Sequence, residues 1–137
     1  MTITISNFEM ELINMLLAGE DDILSLLRKQ FSHSTIQSRT NTGAGFYTTF
    51  TIPEDIPRVS DEFPAVKSRF CFGDVDASLP ELKAGAGFLI WVIDGYLNQL
   101  EGYTYGEKWP SELSNYSLAY SDKARNIETL RKEWLRD

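Results

Sequence analysis

The dipeptide Asp94-Gly95 joins two runs of residues that favour β-strands, and this junction constrains the fold more than any other part of the chain. Residues 88–93 precede it and residues 96–103 follow it. Asp-Gly suits a two-residue hairpin turn, because both turn residues need positive φ. The pattern therefore predicts an antiparallel hairpin with an unbroken register. That register pairs Ile93 with Tyr96, Trp91 with Asn98 and Leu89 with Leu100.

The strand predicted at residues 88–93 is apolar on both faces. A strand of this kind lies centrally in a sheet, either covered on both sides or used in a subunit contact. The tetrapeptide Gly-Ala-Gly-Phe precedes this strand at residues 85–88 and precedes a second predicted strand at residues 43–46. Glycine at a strand entrance marks a bulge, a bend or a close approach. The repeat suggests two similar hairpins.

Helix signals lie at the two ends of the sequence. Ser6 and Glu9 form a capping-box pattern, Asp21 can cap a second helix, and residues 7–31 are predicted to form a helical hairpin or a kinked helix. Asp122 is the predicted cap of a closing helix that contains Leu130 and Trp134. Between these helices, strands are predicted at residues 35–40, 46–52, 68–79 (with a bulge at Gly73), 88–93, 96–103 and 116–120.

This order predicts an α+β fold: an N-terminal helical hairpin, an antiparallel sheet of about five or six strands in two hairpins, and a C-terminal helix. The 137 residues fit a single domain, residues 1–137. No apolar run reaches the 18 residues of a membrane span, and the N-terminus lacks the features of a signal peptide. With one cysteine, the chain has no internal disulfide, so we expect a cytoplasmic protein.

The formal net charge is −7, which argues against nonspecific binding to nucleic acid. An acidic surface can instead steer a basic protein partner towards it. Residues 123–136 hold five of the 13 basic residues, so this segment is expected to dock on its own acidic body or on a neighbouring subunit.

Candidate ligand-binding residues lie in two places. Asp74 and Asp76 are two positions apart on a predicted strand, and paired carboxylates can bind a cation or divide into acid and base. The second group resembles the rim of a polar and aromatic pocket. It consists of Glu101, Tyr103, Tyr105, Glu107 and Trp109. Alternatively, the two aspartates lie on a solvated strand face, and the second group belongs to a loop that only packs against the rest of the protein.

The sequence identifies no catalytic set, no metal site and no cofactor. His33 is the only histidine, and we expect it to cap the carbonyl groups that end the second helix. Cys71 alternates with two phenylalanines and is expected to be a small buried hydrophobic residue. Either of these side chains could be an axial ligand of a haem, so haem stays open as a cofactor.

The motifs of residues 82–110 resemble those of a group of small bacterial proteins of uncharacterised function. The shared pattern consists of Gly-Ala-Gly-Phe, Asp-Gly, Leu-Glu-Gly-Tyr-Thr-Tyr-Gly-Glu and Trp-Pro. Residues 42–50 and 72–77 are similar to the same group, and residues 123–136 lie outside it. The resemblance implies no activity and no catalytic residues for this chain.

Two hypotheses follow. The first is a noncatalytic acidic binding protein, in one form an immunity-like protein that neutralises a basic partner. The second is a small-ligand binder, or an enzyme, that uses the carboxylate and aromatic residues named above. We also expect a homodimer, because the helices can cover only one face of the sheet. The alternative is a sheet curled into a barrel that buries its own second face.

Overall fold

The computed structural model describes residues 2–136. Seven strands form one antiparallel sheet, and three of the four helices pack on a single face of this sheet. In chain order the elements are α1 (Asn7–Leu16), α2 (Asp22–Ser32), β1 (Thr35–Asn41), β2 (Gly45–Thr51), α3 (Val59–Glu62), β3 (Phe70–Phe72), β4 (Val75–Leu79), β5 (Leu82–Ile93), β6 (Tyr96–Thr104), β7 (Ser117–Tyr120) and α4 (Ile127–Trp134). The predicted α+β class is confirmed. None of these helices is both long enough and apolar enough to cross a membrane.

The strand order across the sheet is β1-β2-β6-β5-β4-β7, and β3 pairs with β5 next to β4. The sheet has one strand more than the upper limit of the prediction, because the strand predicted at residues 68–79 divides at Gly73 into β3 and β4. Both pieces pair with β5. A Cβ at Gly73 would overlap the carbonyl group of Phe88, so the break needs a residue without a side chain.

The N-terminal helices begin where the sequence predicts. The Ser6 hydroxyl accepts a hydrogen bond from the Glu9 backbone N–H (3.1 Å), and Glu9 Oε1 accepts one from the Ser6 N–H (2.9 Å). The Asp21 carboxylate accepts from the first backbone N–H groups of α2. The start of α4 was predicted wrongly: Asn126, not Asp122, caps this helix. The preceding residues form a turn in which Arg125 binds Asp74 and the carbonyl of Ala18.

The hydrophobic core lies between the helices and the sheet. On β5 the alternate residues Phe88, Ile90 and Val92 are buried in it. Leu89, Trp91 and Ile93 point the other way and are half-buried. We call the side of the sheet away from the helices the outer face. Its side chains include those of Tyr47, Cys71, Asp76, Leu89, Trp91, Ile93, Gln99, Glu101 and Tyr103.

The central hairpin forms as predicted at its turn but not along its length. Asp94 and Gly95 have φ values of 54° and 77°, as a two-residue turn requires. The register holds at Ile93 and Tyr96 and then shifts, so that Trp91 pairs with Gln99 and Leu89 pairs with Glu101. The predicted pairs beyond the turn were therefore wrong. Asn98 is an extra residue in β6, and this bulge allows both Leu97 and Leu100 to face the core.

A glutamine side chain holds the hairpin against α2. Gln30 is fully buried, and its Oε1 accepts a hydrogen bond from the Leu97 N–H (2.7 Å). Its Nε2 donates to the carbonyl groups of Gly95 (3.1 Å) and Pro57 (2.9 Å). These bonds join α2 to the hairpin at Leu97 and Gly95 and to the loop at Pro57, and they satisfy the buried amide; the Gly95 carbonyl also accepts a bond from the Val59 N–H (2.9 Å).

The Gly-Ala-Gly-Phe repeat marks two strands that flank β6. Gly102 lies between Phe46 and Phe88 in the sheet, and Tyr103 lies between Gly45 and Gly87. Each aromatic side chain thus extends beside a strand neighbour that has none. The repeat was expected at two strand entrances. The first copy does end at the start of β2, whereas the second lies within β5, because β5 begins earlier than predicted.

Replacing Gly95 with Val tests the turn. We expect a loss of about 1–3 kcal/mol in the free energy of unfolding from the positive φ. A further loss arises because a Cβ at Gly95 would lie 2.5 Å from Ser60 Oγ and 2.7 Å from Arg58 Cβ. Gly106→Val is the matched control, since Gly106 also has positive φ but open space around it. Urea denaturation showing equal losses would contradict the close approach at Gly95.

Replacing Gln30 with Met removes the three hydrogen bonds at nearly constant volume. We expect a loss of about 2–4 kcal/mol, because the Leu97 N–H and the Pro57 carbonyl lose their bonds to Gln30 and α2 is no longer joined to the hairpin. Gln37→Met, at an exposed position of β1, should change stability by less than about 0.5 kcal/mol. Similar unfolding midpoints for the two variants would show that Gln30 does not support the hairpin.

Candidate functional site

Four of the predicted site residues lie on or beside the outer face: Asp76, Glu101, Tyr103 and Tyr105. Asp76, Gly87 and Tyr103 are neighbours across β4, β5 and β6. Gly87 lacks a side chain, so the Tyr103 ring lies over its backbone. The Tyr105 ring meets the Tyr103 ring edge-on, with centroids 5.8 Å apart. This row therefore presents two tyrosines and one carboxylate, and the Tyr105 side chain is largely exposed.

The pKa of the Tyr103 phenol is raised. Burial is the main cause, and Tyr105 and the charges of Asp76 and Glu101 act in the same direction. The phenol therefore keeps its proton at neutral pH and can donate a hydrogen bond. It is not a base at this pH.

Glu101 lies in a shallow depression on the outer face, next to this row. Its carboxylate accepts hydrogen bonds from the Trp91 indole N–H (3.0 Å) and from the Tyr47 hydroxyl (3.4 Å). The depression has a volume of about 200 Å³. Its lining is formed by Tyr47, Arg69, Trp91, Ile93, Gln99 and Glu101. The Arg69 guanidinium stacks over the Trp91 ring, 5.6 Å from its centroid, and forms no ion pair with Glu101.

The two aspartates predicted to act together are separated by their partners. Asp74 precedes β4 and accepts hydrogen bonds from Arg125 Nη2 (2.7 Å) and Nε (3.0 Å). Arg125 is well buried and also donates to the Ala18 carbonyl (2.7 Å). Arg125 therefore joins Asp74 and the segment before α4 to the corner between α1 and α2. Asp76 alone faces solvent.

The predicted pocket rim also divides, because residues 105–109 pass around the end of the sheet. Glu107 remains near the surface and accepts a weak hydrogen bond from the Ala84 N–H (3.4 Å). Trp109 is 6% exposed and packs against Phe8, Phe46 and Phe88 on the helix side. A backbone hydrogen bond from Trp109 to Gly43 (2.8 Å) holds it there. Trp109 thus belongs to the core, so the expected single rim does not form.

Cys71 and His33 have different surroundings. Cys71 was expected to be buried, but it lies half-exposed on the outer face opposite Trp91, since Phe70 and Phe72 occupy the core side of β3. Burial, together with the charges of Glu133 and Glu101, raises the pKa of its thiol and so keeps it protonated at neutral pH. His33 ends α2, with Nδ1 3.0 Å from the Lys29 carbonyl, as expected for a capping residue.

Within residues 2–136, no three histidine, cysteine or carboxylate side chains cluster closely enough to hold a metal ion.

Sequence reasoning missed the buried carboxylate of Glu9, which was assigned only a capping role. Besides its bond with Ser6, Glu9 accepts hydrogen bonds from Arg39 Nη2 (2.5 Å) and Nε (3.1 Å) and from the Thr48 hydroxyl (2.5 Å). Both partners lie on strands more than 25 positions away, so only the fold reveals them. Burial alone would raise the pKa of Glu9. The hydrogen bonds from Arg39, Thr48 and Ser6 have the larger combined effect, so the pKa is held below its usual value.

Replacing Glu9 with Gln should cost about 1–3 kcal/mol at pH 7, a moderate loss because water can still solvate the partly exposed Arg39. Since the pKa of Glu9 is lowered by folding, its contribution is complete above about pH 4.5 and is lost as the pH falls through the folded-state value. The stability difference from wild type should therefore shrink in acid. A difference independent of pH, or an equal one for exposed Glu20→Gln, would contradict the assignment.

Comparison with known proteins provides no relative. No protein-family model, curated protein or solved structure matches this chain. The functional interpretation therefore rests only on the arrangement of the side chains described above.

Proposed function

We propose that the protein is a noncatalytic binding protein whose outer face engages a basic protein partner. The observation that carries this proposal is the setting of Glu101. Its carboxylate is held by two neutral donors, Trp91 and Tyr47, on an uncovered sheet face, and no cation within residues 2–136 pairs with it. A lysine or arginine of a partner would find there a fixed carboxylate and the ring of Tyr47, while the Trp91 ring is already stacked with Arg69.

The charge of the whole protein favours the same kind of partner. Each ion pair within residues 2–136 joins one acid to one base, so the pairs leave the formal charge of −7 unchanged. The resulting field attracts a basic protein before contact and accelerates its association. Arg125 and Arg131 neutralise Asp74 and Asp21 of the same chain, so these two ion pairs contribute little to this field.

The aromatic residues of the outer face support a protein partner over a small ion. Tyr47, Trp91, Tyr103 and Tyr105 are residue types enriched at interfaces, where a large rigid ring also carries a polar atom. Leu89 and Ile93 provide apolar area between them. Such a surface combines an apolar centre with charged groups at Asp76 and Glu101, as recognition interfaces do.

The proposal includes an immunity-like role in a bacterial cytoplasm, in which the protein neutralises a basic partner. It also includes a homodimer, since a second copy could cover Leu89, Trp91 and Ile93 in the absence of that partner. Light scattering across a dilution series tests the dimer. A mass of 15.6 kDa at every concentration would exclude it.

An arginine-rich peptide tests the recognition of a basic partner. The chain has three tryptophans, whose indole N–H signals in NMR spectra report on separate regions. Trp91 reports on the outer face, and Trp134 is a fully buried reference. We expect the peptide to shift the Trp91 signal and not that of Trp134. Glu101→Gln should weaken binding about tenfold, as expected for loss of a charge-assisted hydrogen bond.

Glu20→Gln is the matched control, because it removes the same charge from an exposed position between α1 and α2, on the helix side of the sheet. Equal weakening by the two variants would show that the peptide senses only the net charge. A Trp91 signal unmoved at saturation would exclude the outer face.

The second candidate is a small ligand, or a substrate, bound on the outer face by Asp76, Glu101, Tyr103 and Tyr105. The closeness of Tyr103 and Tyr105 favours it, since paired rings can hold a planar molecule. Tyr103→Phe separates the two candidates. This substitution should weaken the binding of a small ligand that uses the phenol, but it should leave peptide binding through Glu101 nearly unchanged.

A further inference from the structure

A cavity of about 290 Å³ lies on the helix side of the sheet, beside the start of α1 and apart from the outer face. Three aromatic side chains, those of Phe8, Phe46 and Trp109, form its apolar part together with Leu113 and Pro110. The Trp109 ring lies 5.0 Å from the Phe46 ring and 6.3 Å from the Phe8 ring, measured between centroids. Neither Phe8 nor Trp109 moves easily, because each packs on further core rings.

The polar part of the cavity offers donors and hardly any acceptors. Glu9 lines it, but its two carboxylate oxygens already accept four hydrogen bonds from Ser6, Arg39 and Thr48. Arg39 uses Nε and Nη2 for Glu9 and the Thr4 carbonyl, and residues 2–136 give its Nη1 no acceptor. Asn41 Oδ1 accepts from the Gly43 N–H (2.7 Å), which leaves the Nδ2 donor of this amide.

We propose that this cavity binds a small planar aromatic compound that carries a hydrogen-bond acceptor, a carboxylate or a carbonyl oxygen, at one end. The ring packs against Phe46 and Trp109, and the acceptor faces Arg39 and Asn41. An apolar cavity of about 150 Å³ accommodates benzene. The larger volume here therefore leaves space for one ring and a short polar arm. This site does not depend on the outer face or on a basic partner.

Three compounds of nearly equal size test the proposal. Phenylacetate and phenylacetamide carry acceptors, whereas phenethylamine carries only donors. We expect the first two to shift the Trp109 indole signal saturably at millimolar concentrations or below, with the Trp91 and Trp134 signals unmoved. Phenethylamine should bind at least tenfold more weakly. Equal binding of phenethylamine, or a Trp109 signal that none of the three compounds moves, would overturn the proposal.

Two substitutions locate the site without disturbing the core. Ser111→Phe places a ring at an exposed position that lines the cavity, and it should weaken the binding of phenylacetate at least tenfold. Ser114→Phe, the same change three positions later, does not line the cavity and should have no effect. Equal weakening by both would contradict binding in the cavity.

Asn41→Asp tests whether the polar end of the cavity donates hydrogen bonds to the ligand. It also keeps the proposal testable if Ser111→Phe fails to fold. The new carboxylate can still accept from Gly43, but it replaces a donor by an acceptor. We expect phenylacetate to bind at least tenfold more weakly and phenethylamine to bind as well as before or better. An unchanged preference for phenylacetate would overturn the assignment of the polar end.

Discussion

The contact between two phenylalanine rings over a glycine organises the core of this protein. Gly102 pairs with Phe46 on one side and with Phe88 on the other, and the two ring centroids are 6.4 Å apart. A Cβ at Gly102 would overlap the Phe46 ring, so any other residue would push β2 or its side chain away. Trp109 then packs on both rings, and Phe8 packs on Phe88 and Trp109. The inner side of the sheet, the start of α1 and the wall of the cavity all depend on this one position.

Buried polar side chains complete the core at two points. Gln30 binds the turn and the bulge of the central hairpin, and Glu9 joins α1 to β1 and β2 through Arg39 and Thr48. Both side chains are almost fully buried, and both have every polar atom bonded. Satisfied networks of this kind specify one arrangement of helices over the sheet, because a shifted helix would leave several buried groups without partners.

Local signals in the sequence were sufficient for the helices of the N-terminal half and for the Asp94-Gly95 turn, since capping and turn formation depend on neighbouring residues. They failed where distant residues decide the outcome. The bulge at Asn98 depends on Leu97 and Leu100 both reaching the core, and Trp109 reaches the core only because residues 105–109 pass around the sheet end. Asp74 was grouped with Asp76, but Arg125, 51 positions later, removes it from the outer face. Glu101 and Tyr103 share the outer face with Trp91 only because of the bulge at Asn98; the predicted register places them on the opposite face.

The contacts that fix α1 and α2 to the rest of the molecule have a consequence for folding during synthesis. Tyr116 binds Glu11, Tyr120 binds the Met15 carbonyl, and Arg125 binds the Ala18 carbonyl. The partners in each pair are more than 100 positions apart along the chain. Until the ribosome has released residues 116–125, these three bonds cannot form, and only contacts such as those of Glu9 and Gln30 can hold the two helices on the sheet. The apolar faces of these helices therefore stay exposed through most of translation, and folding should be completed late and slowly for a chain of this length.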